Sequence, residues 1–570
     1  MVEHLEQDIL ILGGGGAGLM ASLRSRRANS HLRIAVAAKG LIGQSGCTRM
    51  VQGGYNAVLD PLDSFDLHYS DTIRGGSFIN DQDLAWTLVT TAPKVIVELE
   101  QLGCFFDRTQ DGRIYQKAFA GQSFDRTVHR GDLTGIEIMS RLKENVLAND
   151  LTLLDEYRAI SLLFNNNGGI GGALLLDTRS GEFVAVSAKA TLVATGGGAR
   201  MYSIAAPSLE KSGDGMALCY RAGCIMQDME MYQFHPTGIV SGNSVLTGAV
   251  LEEGLRGVGG YLLNSHGDRF MRHYDPERME RSTRDLVSRA GFMEIQGGRG
   301  TDDGAVMLDV SHLGAEFVER TFPGMVDRCR EVGFDLARKP VKVSPTAHFH
   351  MGGARIDNSC RTNLQGLFVA GEDAGGVHGA NRLGVNGVAE SLVFGTIAGE
   401  SMAQYVTDQP QPNLDPKQID ADIAWALKPV GTSDSTSGDS ENIFSIRIEI
   451  ERLMWAKGGL VRDESGLQEA LNELANLSKR AEKASVTPIR EYNPGWNEWL
   501  NVQSLLTVAQ MTCQSALSRR ESRGSHYRSD YPDQDEAEWL CNILLRETPN
   551  GVPEIWNEMV EFSRLQPELS

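Results

Sequence analysis

The stretch whose reading decides the fold is Asp8-Ile9-Leu10-Ile11-Leu12-Gly13-Gly14-Gly15-Gly16-Ala17-Gly18-Leu19-Met20-Ala21-Ser22-Leu23. A short apolar strand runs into a glycine turn and then into a helix. In that order Gly13 makes the tight turn, Gly15 lets the backbone approach a pyrophosphate, and Gly18 lets helix and strand pack closely. Gly16 and Ala17 open the helix, whose free N–H groups and partial positive charge suit phosphates. The glycine spacing alone is weak. With the right element on either side it reads as a dinucleotide site, against the blander reading of a glycine-rich turn in an ordinary α/β domain.

Working outward, Leu32–Ala38 reads as the second strand of a βαβ unit. A plain NAD site ends this strand with an acid for the ribose hydroxyl; here Lys39 follows, which argues against one. Strand-like segments recur at Leu151–Leu154, Arg158–Phe164 and Ala173–Asp177. Ala190–Ala194 leads into a second glycine turn at Thr195-Gly196-Gly197-Gly198. From about 230 to 345 the texture is turns and short elements, and 364–407 returns to strand, glycine loop and an amphipathic helix over Val388–Val406. Segments 408–420, with Pro410, Pro412 and Pro416, and 430–441, rich in Gly and Ser, read as linkers. A helical pattern fills 442–518, and the segment after Asp533 reads as a short helical tail.

The totals set bounds. A chain of 570 residues exceeds one core, so two to four domains are expected. A net charge of −20 argues against a generic nucleic-acid or anionic-membrane surface. No apolar run approaches the ~18–20 residues of a membrane span. The acidic start runs directly into the first strand, so no signal peptide is expected. The 8 cysteines are scattered with no C-x-x-C pair, which gives no iron–sulfur or zinc framework and suits reduced thiols in a cytoplasmic protein.

Several motifs, taken together, resemble the flavoprotein subunit of the succinate dehydrogenase/fumarate reductase family, with L-aspartate oxidase a close relative. They are Gly13–Gly18, Gln52-Gly53-Gly54, Phe119-Ala120-Gly121-Gln122-Ser123, Gly213-Asp214-Gly215 and His235-Pro236-Thr237-Gly238. Further on come Glu253-Gly254-Leu255-Arg256-Gly257, Arg284–Arg289, Pro345-Thr346-Ala347-His348, Gly371-Glu372, Gly379–Gly384 and Glu521–Arg528. The match runs from residue 8 to about 532.

The resemblance implies an α/β protein: a Rossmann-like FAD-binding domain (1–229 and 346–425), an inserted α+β capping domain (230–345), a helical domain (440–540) and a C-terminal tail (541–570). FAD replaces NAD as the expected cofactor, and a lysine at the Lys39 position fits. Cofactor contacts are implied for Gly13, Gly15, Gly16, Ala17, Gly18, Lys39, Ser45, Cys47 and Thr48. They continue through Gln52, Gly53, Gly54, Ala159, Thr195, Gly196, Gly197, Asp214, Glu372, Arg382 and Asn386. The family moves a hydride between flavin N5 and one carbon of a C4 dicarboxylate while the other carbon exchanges a proton. Arg382 is implied to grip a carboxylate bidentately, with His235 and His348 donating to the substrate. Arg284 is implied as the proton donor, resupplied through Glu253 and Arg256. Phe119, Gln122 and Glu252 complete the implied substrate contacts. Electrons would pass to a separate iron–sulfur subunit, through which a cytoplasmic chain would sit at the inner membrane face. No nucleic-acid partner is expected.

Three departures matter. Many family members tether FAD through a histidine five residues before Gln-Gly-Gly; Cys47 stands there, so non-covalent FAD is expected, with a cysteinyl bond the alternative. The residue before Glu253 is normally threonine; Glu252 would repel a carboxylate unless it turns away, is protonated, or meets a substrate cation. Glu252 thus keeps L-aspartate open. Phe119, which stands where aspartate oxidases carry a glutamate, argues for succinate and fumarate. Arg523 and His526 read as structural between domains at least as readily as catalytic.

Overall fold

The computed structural model describes residues 2–119, 121–431, 441–548 and 550–568. Ala120 and most of the Gly/Ser stretch at 430–441 therefore lie outside the described residues.

The opening motif folds as its residues require. Glu3–Leu12 is a strand and Gly16–Ala28 a helix, with Gly15 at the N-cap. Gly13 has φ +125°, and a Cβ there would lie 2.0 Å from the Ala194 carbonyl oxygen. A Cβ on Gly18 would lie 1.9 Å from the Gly13 carbonyl oxygen, so helix and strand meet only because both lack side chains. Gly18→Ala is expected to destabilise the protein by about 3 kcal/mol, at the upper end for overpacking. Thermal melting and flavin content should fall together; an unchanged melt would show that the backbone yields here.

Glu3–Leu12 is central in a seven-stranded sheet ordered Thr152–Asp155, Ile34–Ala38, Glu3–Leu12, Phe183–Val193, Ile170–Asp177, Tyr157–Phe164. Pairing is parallel across the first four strands and antiparallel in the last two steps. The C-terminal end of Phe183–Val193, at Thr191–Val193, also pairs in parallel with Leu367–Val369. The C-terminal ends of Glu3–Leu12, Ile34–Ala38, Phe183–Val193 and Leu367–Val369 thus point the same way, where open α/β sheets bind ligands.

Residues 239–343 gather a separate hydrophobic core, from Ile239 and Leu251 to Val341 and Val343. Its four-stranded antiparallel sheet runs Tyr232–Ile239, Val341–His350, Val306–Asp309, Tyr261–Leu263. The long helices Ile443–Lys457, Glu464–Lys483 and Pro494–Ser518 follow.

Two local expectations fail. Pro416 does not sit in a linker; it opens the helix Pro416–Leu427, with Asp415 capping the Lys417 N–H. The tail after Asp533 is not helical. Cys541–Glu547 and Pro553–Met559 form a hairpin that pairs on Met226–Gln227. The buried run Ile543-Leu544-Leu545 is too short for a helix face, and that strand edge supplies its hydrogen bonds.

Candidate active site

One cavity of about 750 Å³ joins the opening glycines to the cap-side histidines and arginines. At its cofactor end Gly13, Gly15, Gly16 and Ala17 line the wall. A Cβ on Gly15 would meet nothing nearer than Thr48 Oγ1 at 3.7 Å, so the backbone there stays open to the cavity. Ser45, Cys47, Thr48, Gln52, Gly53, Gly54, Ala159, Thr195 and Gly196 also face it. Gly18 and Gly197 pack one layer behind, Gly197 directly against the Glu372 carboxylate.

The lysine that ends the second strand has a definite job. Lys39 Nζ donates to Asp214 (2.8 Å), Ser212 (2.9 Å) and the Glu210 carbonyl (2.6 Å). Arg158 reaches the other Asp214 oxygen at 2.7 Å. Burial alone would raise the Asp214 pKa, but Arg158 and Lys39 hold it well below the usual carboxylate range. Asp214 is thus an ionised acid in the cavity wall, fixed between two cations.

At the far end, His235 and His348 face each other with ring centroids 5.6 Å apart. Burial first, and the neighbouring guanidiniums second, push both well below the ordinary imidazole pKa, so both are neutral at neutral pH. Arg284, the first residue of the helix Arg284–Glu294, donates through Nε (3.1 Å) and Nη2 (2.9 Å) to Glu253 Oε2. Arg256 meets the other oxygen at 2.8 Å. Burial raises the Glu253 carboxyl pKa, yet these two guanidiniums outweigh it and keep it ionised. Arg256 does not line the cavity; it acts behind Glu253 and donates onward to the Glu280 carbonyl at 2.5 Å. Arg382 lies 4.5 Å over the Phe349 ring; burial and Arg284 lower its pKa to about 9. Phe119 and Glu252 both line this end.

Two further residues of the expected set also lie behind the wall. Gln122 donates to Asn56 Oδ1 at 2.9 Å, and Asn386 takes up Asn56 (2.7 Å), His68 (3.1 Å) and Thr72 (3.1 Å). Neither lines the cavity. Asn386 is satisfied in a buried polar network behind the wall, whereas Gln122 Oε1 is left without a partner among the described residues. Arg523 and His526 are also buried away from the cavity, Arg523 against Glu521 and His526 against Arg462.

The structure adds three residues. Gln233 Oε1 accepts from both Arg284 (3.2 Å) and Arg382 (3.1 Å) and so spaces the two guanidiniums. Its signal was the alternation Gln233, His235, Thr237 along one strand. Lys211, buried in the cavity wall, is ion-paired to Glu372. Arg328 reaches the mouth from the helix Pro323–Glu331 and donates to the Val250 carbonyl at 2.7 Å. Neither Lys211 nor Arg328 lies in a legible motif.

Comparison with known proteins fits this geometry. Residues 8–388 match the FAD binding domain family and 447–569 the fumarate reductase flavoprotein C-terminal family. An uncharacterized FAD-dependent oxidoreductase of Methanocaldococcus jannaschii is 42% identical, over 99% of both chains. The fumarate reductase (CoM/CoB) of Methanothermobacter marburgensis contains a chain that is 41% identical, over 95% of this chain and 97% of its own. The chain belongs to the succinate dehydrogenase/fumarate reductase flavoprotein family. A solved E. coli quinol fumarate reductase chain superposes with TM-score 0.93 at 31% identity, covering 100% of this chain and 99% of that one.

This family member is an FAD-dependent oxidoreductase, and its residues fit the cofactor. Gly13, where no Cβ fits, and the bare backbone at Gly15 leave room for a pyrophosphate, with Gly18 packed behind them. Among the described residues no helix is long and apolar enough to cross a membrane.

Proposed function

We propose that this flavoprotein interconverts fumarate and succinate, or a closely related C4 dicarboxylate. The observation that carries the reading is the convergence of His235, His348, Arg284 and Arg382 in the cavity that also holds the dinucleotide cradle. FAD, when bound, supplies the two-electron hydride chemistry. Asp214 and Glu372 suit its hydroxyls, and the Gly13–Ala17 turn its phosphates.

The protein's own part is to grip and to protonate. Arg382 offers one carboxylate a planar fork, a geometry a lysine cannot reproduce. Neutral His235 and His348 donate N–H bonds without adding charge. Holding both ends twists the diacid and favours charge development at the reacting carbon. Arg284 stands opposite as proton donor. Ionised Glu253, bonded to Arg284 on one oxygen and Arg256 on the other, is placed to take a proton from the Arg256 side and pass it to Arg284. Closure of the cap-side residues over the cavity would exclude water.

We assign the electron route to a separate iron–sulfur subunit in a cytoplasmic complex; relatives named as subunits support this. All 8 cysteines are free thiols, consistent with a reducing compartment. Co-purification with a protein showing iron–sulfur absorbance is the check.

The deciding experiment follows flavin absorbance in the holoenzyme. Bleaching by succinate, or reoxidation of the reduced flavin by fumarate, is expected. Bleaching by L-aspartate alone would replace this reading with an aspartate oxidase. One observation favours that second reading: the Glu252 carboxyl lines the cavity with no bonded cation among the described residues. Cys47 lines the cavity in place of a tethering histidine, so acid precipitation should release the flavin; a yellow pellet would mean a thioether bond.

A further inference from the structure

Glu252 is oddly provided for. Its backbone N–H meets Met325 Sδ at 3.3 Å, but its carboxyl makes no hydrogen bond or ion pair among the described residues. It is half-buried and faces the cavity that holds His235, Arg284, His348 and Arg382. Its backbone is tied to the strand that carries His235: the neighbouring Leu251 N–H donates to the Thr237 carbonyl at 2.8 Å.

Four charged groups surround it. Arg328, on the helix Pro323–Glu331, donates to the Val250 carbonyl and, once the Gln52 amide is turned to face it with its oxygen, to Gln52 as well. Lys117, on the short strand Gln116–Lys117, acts only through space, and Asp132, before the helix Thr134–Leu147, opposes it. On its own element Glu253 is taken up by Arg284 and Arg256. Among the described residues no cation therefore bonds the Glu252 carboxyl, though Lys117 and Arg328 act on it through space. Met325 and Gly254 pack against it, with Oε1 3.0 Å from a Cβ position on Gly254. Burial, foremost, raises its pKa; Asp132 adds to this, while Lys117 and Arg328 oppose it.

We propose that Glu252 is a specificity-determining residue that binds the substrate as a neutral carboxylic acid, donating its own proton to one substrate carboxylate. This rests on the dicarboxylate reading above. The partnerless carboxyl then acquires a partner only when a diacid arrives, and only while it keeps its proton. An ionised Glu252 would instead set two anions against each other in a space that excludes water. The sign follows: affinity is full below the pKa of Glu252 and falls about tenfold per pH unit above it. Selection runs against any substrate lacking an acceptor at that end.

The test titrates holoenzyme with fumarate, succinate and the unreactive diacid malonate across about pH 5–9, reading Kd from the flavin spectrum and KM from turnover. Wild type should show Kd and KM rising with pH. Glu252→Gln, which donates at every pH, should flatten the rise. Glu252→Met, which removes the donor, should bind weakly at low pH by about tenfold or more. Flavin content and melting temperature verify each variant. An unchanged pH slope in Glu252→Gln, or wild-type affinity at low pH in Glu252→Met, overturns the proposal. So does L-aspartate binding that strengthens with pH and is lost in Glu252→Gln, because the carboxylate would then be meeting an ammonium. If no diacid perturbs the flavin in any variant at any pH, the dicarboxylate reading itself has failed, and this proposal with it.

Discussion

Arg284→Lys should lower turnover by about 10²–10⁴-fold, the usual scale of a positioned acid, while FAD stays bound. The reason is geometric. Arg284 spends Nε and Nη2 on one oxygen of Glu253 and Nη1 on Gln233, so its plane is fixed by three hydrogen bonds. A lysine offers one nitrogen on a flexible stem and cannot hold both partners while facing the substrate. The position is otherwise unfavourable: Arg284 opens a helix, where the macrodipole disfavours a cation by about 0.3–1 kcal/mol. The residue is kept where helix electrostatics would not choose it, which suits a functional role. The cradle glycines lie at the other end of the cavity, so the flavin spectrum should be unaltered. Glu253→Gln should also be slow, because it cuts the link between Arg284 and Arg256. If Arg284→Lys keeps a third or more of wild-type turnover, the proton comes from elsewhere.

The legible parts of this chain were those whose physics is local. Gly13, Gly15 and Gly18 declare themselves because a tight turn, a bare backbone and a close helix contact each exclude a side chain within a few residues. The alternation of the sheet and the 3.6 period of the long helices are local in the same sense. Lys39 shows where locality ends. Its partner Asp214 lies 175 residues away, so the lysine looked like a missing acid when it was half of an ion pair. Gln122 and Asn386 show the same limit from the other side, since neither lines the cavity. Gln122 stands in a motif and Asn386 just after one; Asn56, His68 and Thr72 take up the Asn386 amide, and Asn56 takes the Gln122 NH2 while the Gln122 Oε1 keeps no partner among the described residues. The tail hairpin was illegible because its pairing edge, Met226–Gln227, comes from the middle of the chain. Glu252 lay between: the sequence left it turned away, protonated or meeting a substrate cation, and the folded chain leaves it facing the cavity.

Lys211 was wholly silent in the sequence, and its removal should have the second largest effect. Lys211 and Glu372 form an ion pair with side chains only 5% and 9% exposed. Burial alone would lower the lysine pKa; Cys47 and Glu372 outweigh that and leave it raised, so it is a cation at neutral pH. Glu372 is also fixed by the His350 N–H at 3.0 Å, which prevents it from swinging out to water. Lys211→Met therefore strands a carboxylate in the cavity wall. Breaking one side of a buried pair costs about 3–5 kcal/mol, and here the stranded charge would also lie beside bound FAD. Chemical denaturation should show a lower midpoint, and FAD should dissociate more readily on dilution. The double variant Lys211→Met/Glu372→Gln should recover much of the stability, because no unpaired charge remains. It should not recover FAD affinity if Glu372 holds a cofactor hydroxyl. A double variant no more stable than Lys211→Met would show that the lysine acts by packing against Phe349, 5.9 Å from its ammonium, rather than by charge.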